Sequence, residues 1–548
     1  MAQNDITFSR AEGGLGRPLA GKDHLSGMLF YTAGSLPSGF TTSDRIKKIF
    51  SITEAETLGI VDDHSDETKG TGGQVAIGGT WSEGEVATIT IDGVTLGTHT
   101  VVSGSVDVAD VVAALVIDIN AGTATGIKHG WVAADVAGTD VALTQPNKLG
   151  IFNNAGAHVG FVTDAGTGTG TPTQFTSGVG SYFALLHYHI SEYFRLQPKG
   201  VLWVGIFAQN TFDGTEIETI QNFTDGELRE LAIYLSHETF ASSQLTIIQG
   251  KLDTLATQHA RMSVVFHSDL SSATLSTLAD LTTLSNERVS MLIGEEGDYH
   301  VLAYDNAKAY ISGDKVTFQG KTYRSNAETT GNAPWDGTKW VVLRENLQAI
   351  SGFSIGTSGV CLGVVSFANV HENIGWLAKF NLVTGTGLDE VAFATGDLWK
   401  DVSDSLKTSL NDFHYIYLRK HRGKDGTFFN DSFTAISETS DFATIENNRT
   451  VDKAQRNIRT NMLPNLLSPL TVNEDGTLSE VTIALFKKDS ERPLIDMITA
   501  GELSAQKITI NPAQDVLATS IVDIGVLLVP RGVARKIRFI IGFAVKLT

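Results

Sequence analysis

The chain is nearly without cysteine: Cys361 is the only one among 548 residues, so no disulfide can form within a single chain. It sits in the apolar run 360–365, which predicts a buried thiol rather than a nucleophile. Basic residues are also in deficit, with 41 Lys and Arg against 61 Asp and Glu, a formal net charge of −20. That field disfavours nucleic acid, whose binding needs cations to displace phosphate counterions. No apolar run reaches the roughly 18–20 residues of a membrane span, which argues against direct membrane insertion. Residues 1–10 are polar and do not read as a secretory leader, so synthesis and folding in a cytoplasm are expected. Charged residues amount to 19%, while apolar residues reach 42% and glycine 55 positions. This mix suits several β-rich, loop-rich domains with sizeable cores.

Texture changes along the chain divide it. Residues 1–45 read as an extended, Gly-rich arm with an apolar patch at 25–31 that needs a partner surface, and 46–59 as a short helix with Ser51 and Glu54 at capping-box spacing. Residues 71–178 form a Gly/Thr/Val/Ala-rich stretch. Its strand candidates are 86–92, 131–134 and 140–144; helical spacing of Val108, Val111, Val112, Leu115 and Ile119 adds one helix. The 179–302 stretch alternates helix and strand, with a helix over 182–195 and a continuous apolar strand over 201–207, as in a partly parallel sheet. An aromatic-rich break spans 303–343, and the α/β texture resumes over 344–428. From 429 the pattern predicts a helix over 446–463, β-type segments at 480–486, 504–510 and 520–529, and a terminal apolar strand over 536–547. The expected fold class is therefore α/β (α+β) and multidomain: an α/β core, extended strand arms at both ends and two inserted β-rich surface domains, 71–178 and 303–343.

Catalytic and metal motifs are scarce. His187 and His189 are two apart and cannot share a helix face. His371-Glu372 lacks the second histidine of a zinc-protease helix, and Gly356-Thr357-Ser358-Gly359 has no partner motif of a serine nucleophile. No phosphate-cradling Gly-Lys-Ser/Thr loop occurs. Neither an enzyme activity nor a cofactor or metal is expected. Two features carry more. On a helical wheel Arg449, Lys453, Arg456 and Arg459 fall within about 120°, opposite Val451, Ala454, Ile458 and Met462 within about 80°. This basic stripe is either a solvated face or a docking ridge for an acidic surface. The chain ends are the other: strand-like Ile6 and Phe8, and Ile537, Phe539, Ile541 and Phe543, either pair within the subunit or complete a neighbour's sheet.

Several motifs in order carry a family resemblance. Gly13-Gly14-Leu15-Gly16-Arg17-Pro18, Asp23-His24-Leu25-Ser26-Gly27-Met28-Leu29-Phe30 and the segment 49–59 open the series. Phe429-Asn430-Asp431-Ser432-Phe433, Asn447-Asn448-Arg449-Thr450-Val451-Asp452-Lys453, Asp475-Gly476-Thr477-Leu478 and the strand–Val529-Pro530-Arg531-Gly532–strand ending close it. Together they resemble contractile phage tail sheath proteins, in particular the divergent group of phages and injection systems of Bacteroidetes-type bacteria. The resemblance implies a non-enzymatic subunit that polymerises as stacked hexameric rings around an inner tail tube, between baseplate and tail terminator proteins. It also implies terminal arms that exchange strands, and a tube-facing helix in the C-terminal domain, where the basic stripe lies. Such a protein would be found in a virion tail or injection-system sheath assembled in the bacterial cytoplasm.

The 303–343 stretch resembles a small chitin-binding type of carbohydrate-binding module through Tyr310-Ile311-Ser312-Gly313-Asp314-Lys315-Val316, Gly320-Lys321-Thr322-Tyr323, Gly331-Asn332-Ala333-Pro334 and Trp340. Arg324-Ser325-Asn326-Ala327-Glu328 replaces that module's usual exposed aromatics. Either the aromatics are core, or Trp335 and Tyr323 contact sugar, which leaves a surface or receptor-binding structural protein as the rival function.

Overall fold

The computed structural model describes residues 21–543, except 105, 125–128, 152–156, 165, 384 and 386. At its centre is a six-stranded sheet made of β1 (Leu25–Thr32), β2 (Ile46–Ile49), β3 (Val201–Ala208), β4 (Glu230–Thr239), β5 (Ser263–Asp269) and β6 (Val289–Met291), in the spatial order β6-β5-β4-β1-β3-β2. Every pairing is parallel except β3 with β2.

The apolar patch expected to belong to an arm is thus an inner strand of the core. All eight residues of β1 are buried. They lie between β4 and β3, so the partner surface this patch needs is supplied by the same chain. A Cβ on Gly27 would come within 2.9 Å of Leu231 and 3.0 Å of Leu228, so a side chain here would push the overlying side chains away. The expected helix at 46–59 is half strand: β2 comes first, then a helix at Ile52–Thr57 whose N-cap, Ser51, accepts from the Glu54 amide.

Two helices, α1 (Tyr182–Leu196) and α2 (Ser358–Phe367), pack together on one face of the sheet. A Cβ on Gly359 would stand 2.1 Å from the His189 carbonyl oxygen, so this glycine is what lets the two helices approach. The Gly-Thr-Ser-Gly stretch is therefore a helix start and packing element. Cys361 is buried in α2, and burial pushes its thiol pKa well up.

Residues 71–178 hold a four-stranded and a three-stranded sheet, with a helix at Val108–Ala124 over their core. The second insertion is a three-stranded antiparallel sheet of β7 (Lys315–Phe318), β8 (Lys321–Ser325) and β9 (Trp340–Glu345).

The C-terminal part holds α3 (Ile445–Met462), α4 (Glu480–Thr499) and an antiparallel hairpin, β10 (Leu503–Ile510) and β11 (Ile524–Pro530). The segment 480–486, expected as β, is the first two turns of α4. Ser479 caps it by accepting from the Thr482 amide, and that local capping outweighs the β-branched Val481, Thr482 and Ile483. Pro493 lies inside α4 and cannot donate to the Asp489 carbonyl. The Asn461 side chain donates to that carbonyl instead, at 2.5 Å, so the helix continues and is tied to α3.

Candidate functional site: a charged seam and an unpaired terminal segment

Helix α3 is covered on two sides. Ala454 and Ile458 join Leu494, Met497, Leu503 and Ile508 in a small apolar cluster with α4 and the hairpin. Its other face meets the central sheet through charge. Arg449 is buried and its Nε lies 3.0 Å from the Glu230 carboxylate at the start of β4. Its Nη atoms donate to the carbonyls of Ala368 and Asp23. Asp452 accepts both arms of Arg288, at 2.6 and 2.9 Å. Lys453 bridges Asp23 and Glu502, at 2.7 and 2.6 Å, and Arg456 reaches Asp23 at 2.6 Å.

Of the four cations in the basic stripe, three are thus neutralised within the chain, and Arg459 stays exposed. Helical spacing defines the polar face but not its cover; the covering acids, Asp23, Glu230 and Glu502, come from distant sequence. The stripe joins the C-terminal part to the core rather than forming an open ridge. Burial raises Glu230 to about 7 in spite of Arg449. Burial opposes ionisation of Asp23 too, but its hydrogen bond to Lys453 and the surrounding cations hold its pKa below the usual carboxylate value. The seam encloses only about 10 Å³, too little for any ligand larger than a water.

The terminal segment behaves in the opposite way. Among the described residues, 531–543 form no strand with their own chain. Ile537, Phe539, Ile541 and Phe543 are 73, 81, 92 and 111% exposed, although apolar. Ile6 and Phe8, the other arm residues, lie outside the described residues. The hairpin beside this segment is also incomplete: β10 pairs only with β11 among the described residues, so both outer edges lack a strand partner. Along β11, Ile524, Val526 and Leu528 pack inward while Leu527 and Val529 stay 66 and 52% exposed.

An open surface does occur on α4. Val481, Leu485, Lys488, Arg492 and Ile495 are all exposed, and fall within about 80° on the helical wheel. A shallow depression of about 400 Å³ lies along Lys488, Arg492 and Ile495, with Ala484, Lys487, Glu491 and Asp496 completing its lining.

The two candidate sugar contacts both lie in packed surroundings. Tyr323 is 6% exposed, in a core with Tyr304, Tyr310, Phe318 and Trp340. Trp335 is half-buried, with its ring edge-on to Phe318 at 5.1 Å and 5.5 Å from the ring of His129 in the first insertion. Trp131 Nε1 donates to Gln319 Oε1 at 3.2 Å, and Val94 joins the second insertion's aromatic cluster. The two insertions thus pack together as one body. It is fixed to the core by Arg344, which pairs with Glu296 and Asp298, and by Lys315, which pairs with Asp298. The next residue, Glu345, pairs with His64 and Lys148.

Among the described residues no group of His, Cys, Asp and Glu could hold a metal ion. His189 is enclosed in the core and burial lowers its pKa to about 3. Ser354 Oγ and His267 Nε2 are 3.2 Å apart, but both residues are fully buried and closed to a substrate.

What the described residues define is a mixed α/β chain whose core is closed and whose C-terminal hairpin and tail are left open. Residues 441–548 match a family described as DUF2586, C-terminal domain. No curated protein matches the chain. Among solved structures, the chain is similar to the helical sheath of the anti-feeding prophage in its contracted state, at 14% identity and a TM-score of 0.42, over 68% of this chain and 84% of that one. It is also similar to the contracted sheath complex of the extracellular contractile injection system PVC, at 14% identity and a TM-score of 0.38, over 66% and 80%. A third is the sheath tail protein of Desulfitobacterium hafniense, at 10% identity and a TM-score of 0.32, over 96% and 100%.

Proposed function

We propose that this protein is the sheath subunit of a contractile tail or injection system. It polymerises as stacked hexameric rings around an inner tube, bounded by baseplate and terminator proteins, and contracts to drive the tube through a target envelope. The polymer forms in the bacterial cytoplasm and acts as part of a tail or injection machine.

The observation that carries this reading is the exposed apolar segment at 536–543 next to a hairpin with two open edges. A free edge and a free apolar strand are a liability in a monomer and a joint in a polymer. Burying Ile537, Phe539, Ile540, Ile541 and Phe543 against a neighbour contributes on the order of 10 kcal/mol of hydrophobic stabilisation before ordering costs are deducted. The order of motifs at both ends supports the same reading.

For the inner tube we assign the exposed face of α4. The α3 cations Arg449, Lys453 and Arg456 are held by acids of the same chain, leaving Arg459 available. Lys488 and Arg492, flanked by Val481, Leu485 and Ile495, offer a partly basic, partly apolar surface to an acidic tube.

Negative-stain microscopy of the purified protein tests the function. Striated cylinders or short wide contracted tubes are expected. A protein that stays monomeric at all concentrations, alone and with its tube, would refute it.

A further inference from the structure

The exposed tail is tied to the body of the molecule at one point. Among the described residues of 531–543, Arg535 alone makes hydrogen bonds or ion pairs with the rest of the chain. Its Nε donates to Asp431 Oδ2 at 2.8 Å, and its Nη2 to Asp431 Oδ1 at 3.2 Å and Glu446 Oε1 at 3.0 Å.

The receiving pocket is built in advance of the arginine. Asp431 and Glu446 are 7 and 2% exposed; Asp431 lies just beyond the 424–429 strand and Glu446 in the first turn of α3. Asn373 donates its side-chain amide to both carboxylates and to Ser432. The Ser432 hydroxyl donates to the other oxygen of Glu446. Two buried acids this close repel each other, and a fork of guanidinium donors is the side chain that fits between them.

We infer that Arg535 is the pivot of the terminal segment: the Asp431–Glu446–Asn373 pocket fixes where the arm leaves its own subunit and sets the register in which it pairs with the next copy of this chain. This rests on the reading of the tail as a linking arm. Residues 531–534 are slack between the hairpin and the pivot, while residues 536–548 span about 45 Å when extended. Side chains alternate along a strand, so the count of residues beyond the pivot decides which of them face the neighbour.

Two single-alanine insertions test this in the full chain. Inserted between Gly532 and Val533, the extra residue lies in the slack and should leave polymer yield within about twofold. Inserted between Arg535 and Lys536, it turns Ile537, Phe539, Ile541 and Phe543 to the opposite face and should lower yield about tenfold or more. Equal effects of the two insertions would overturn the pivot.

A readout on the monomer separates this from the sheath reading. Arg535→Ala should raise hydrogen exchange at 429–434 and 445–449 about tenfold, and Arg535→Lys should restore part of the protection. Unchanged exchange in Arg535→Ala would overturn the pivot even if the wild type polymerises. A wild type that never polymerises but shows this exchange pattern would remove the sheath reading and leave the anchor.

Discussion

The central sheet and the C-terminal hairpin use similar residues to opposite ends. β1, with two neighbours, is buried at all eight positions, and β3 and β4 are covered along most of their length. β11 has one neighbour and no fully buried residue, and the tail beyond it has none of either. Apolar composition alone does not separate the two: Leu25–Thr32 and 537–543 read alike. What separates them is whether the chain supplies the adjacent strands. The core is self-sufficient; on the proposed reading, the hairpin and tail are half of a structure that another copy completes.

The sharpest way to break that contrast is to remove the tail. Deleting 536–548 should abolish polymer while leaving the melting temperature within about 2 °C of the full chain, since the described part of the tail buries little. Phe30→Ala, in the middle of β1, should do the reverse. It opens a cavity in a fully closed core and should cost about 3–5 kcal/mol of unfolding free energy. A tail deletion that melts as early as Phe30→Ala would mean the tail packs on its own subunit.

The seam between the two regions should respond to pH. Burial raises Glu230 to about 7 from the ordinary carboxylate value of about 4.5. A raised carboxylate favours the protonated folded state, so its contribution to stability rises as pH falls from about 7 to about 4.5. Glu230→Gln, neutral at every pH, should therefore be more stable than wild type at pH 8 by about 3 kcal/mol, with the advantage gone near pH 4.5. Denaturant melts of both proteins across this range measure it; a pH-independent difference would mean Glu230 ionises freely. His189, lowered to about 3 by burial, acts in the other direction in both proteins: it removes stability as pH falls below about 6.5, and so cancels in the comparison.

How much of this could be read beforehand follows the same division. The alternation of helix and strand over 179–302 was legible because continuous apolar runs and amphipathic helices are local patterns. The helix over Val108–Ala124 and the strand at Asp140–Thr144 follow from spacing alone. β1 was misplaced because its neighbours in the sheet, β3 and β4, begin at Val201 and Glu230, far along the chain. The start of α4 was misread because β-branched residues cluster just after its cap. The basic stripe on α3 was visible, but its acids at 23, 230 and 502 were not. A stripe of cations at helical spacing has the same sequence whether it meets solvent, a partner or a distant carboxylate of its own chain. The inserted aromatics allow both a core and a sugar-contact reading by sequence; burial of Tyr323 and the packing of Trp335 against His129 make them contacts that hold the two insertions together.

The smallest expected effect on stability belongs to α4, and it is the one that separates its exposed face from the closed face of α3. Lys488→Glu with Arg492→Glu changes two exposed side chains that have no ion-pair partner among the described contacts, so unfolding free energy should move by no more than about 0.5 kcal/mol. Arg449→Met, on α3, should by contrast cost about 3 kcal/mol at pH 8, because it leaves Glu230 buried without its cation. If α4 faces an acidic tube, the double reversal should weaken co-assembly with the tube while leaving tail-mediated contacts between subunits intact. The wild type should lose tube affinity steeply as salt rises from about 50 to about 300 mM, a range over which the Debye length falls from about 14 to about 6 Å, and the reversed variant should show a flat or inverted dependence. Identical salt curves for the two proteins would take the tube contact off α4 and return it to Arg459 and its surroundings.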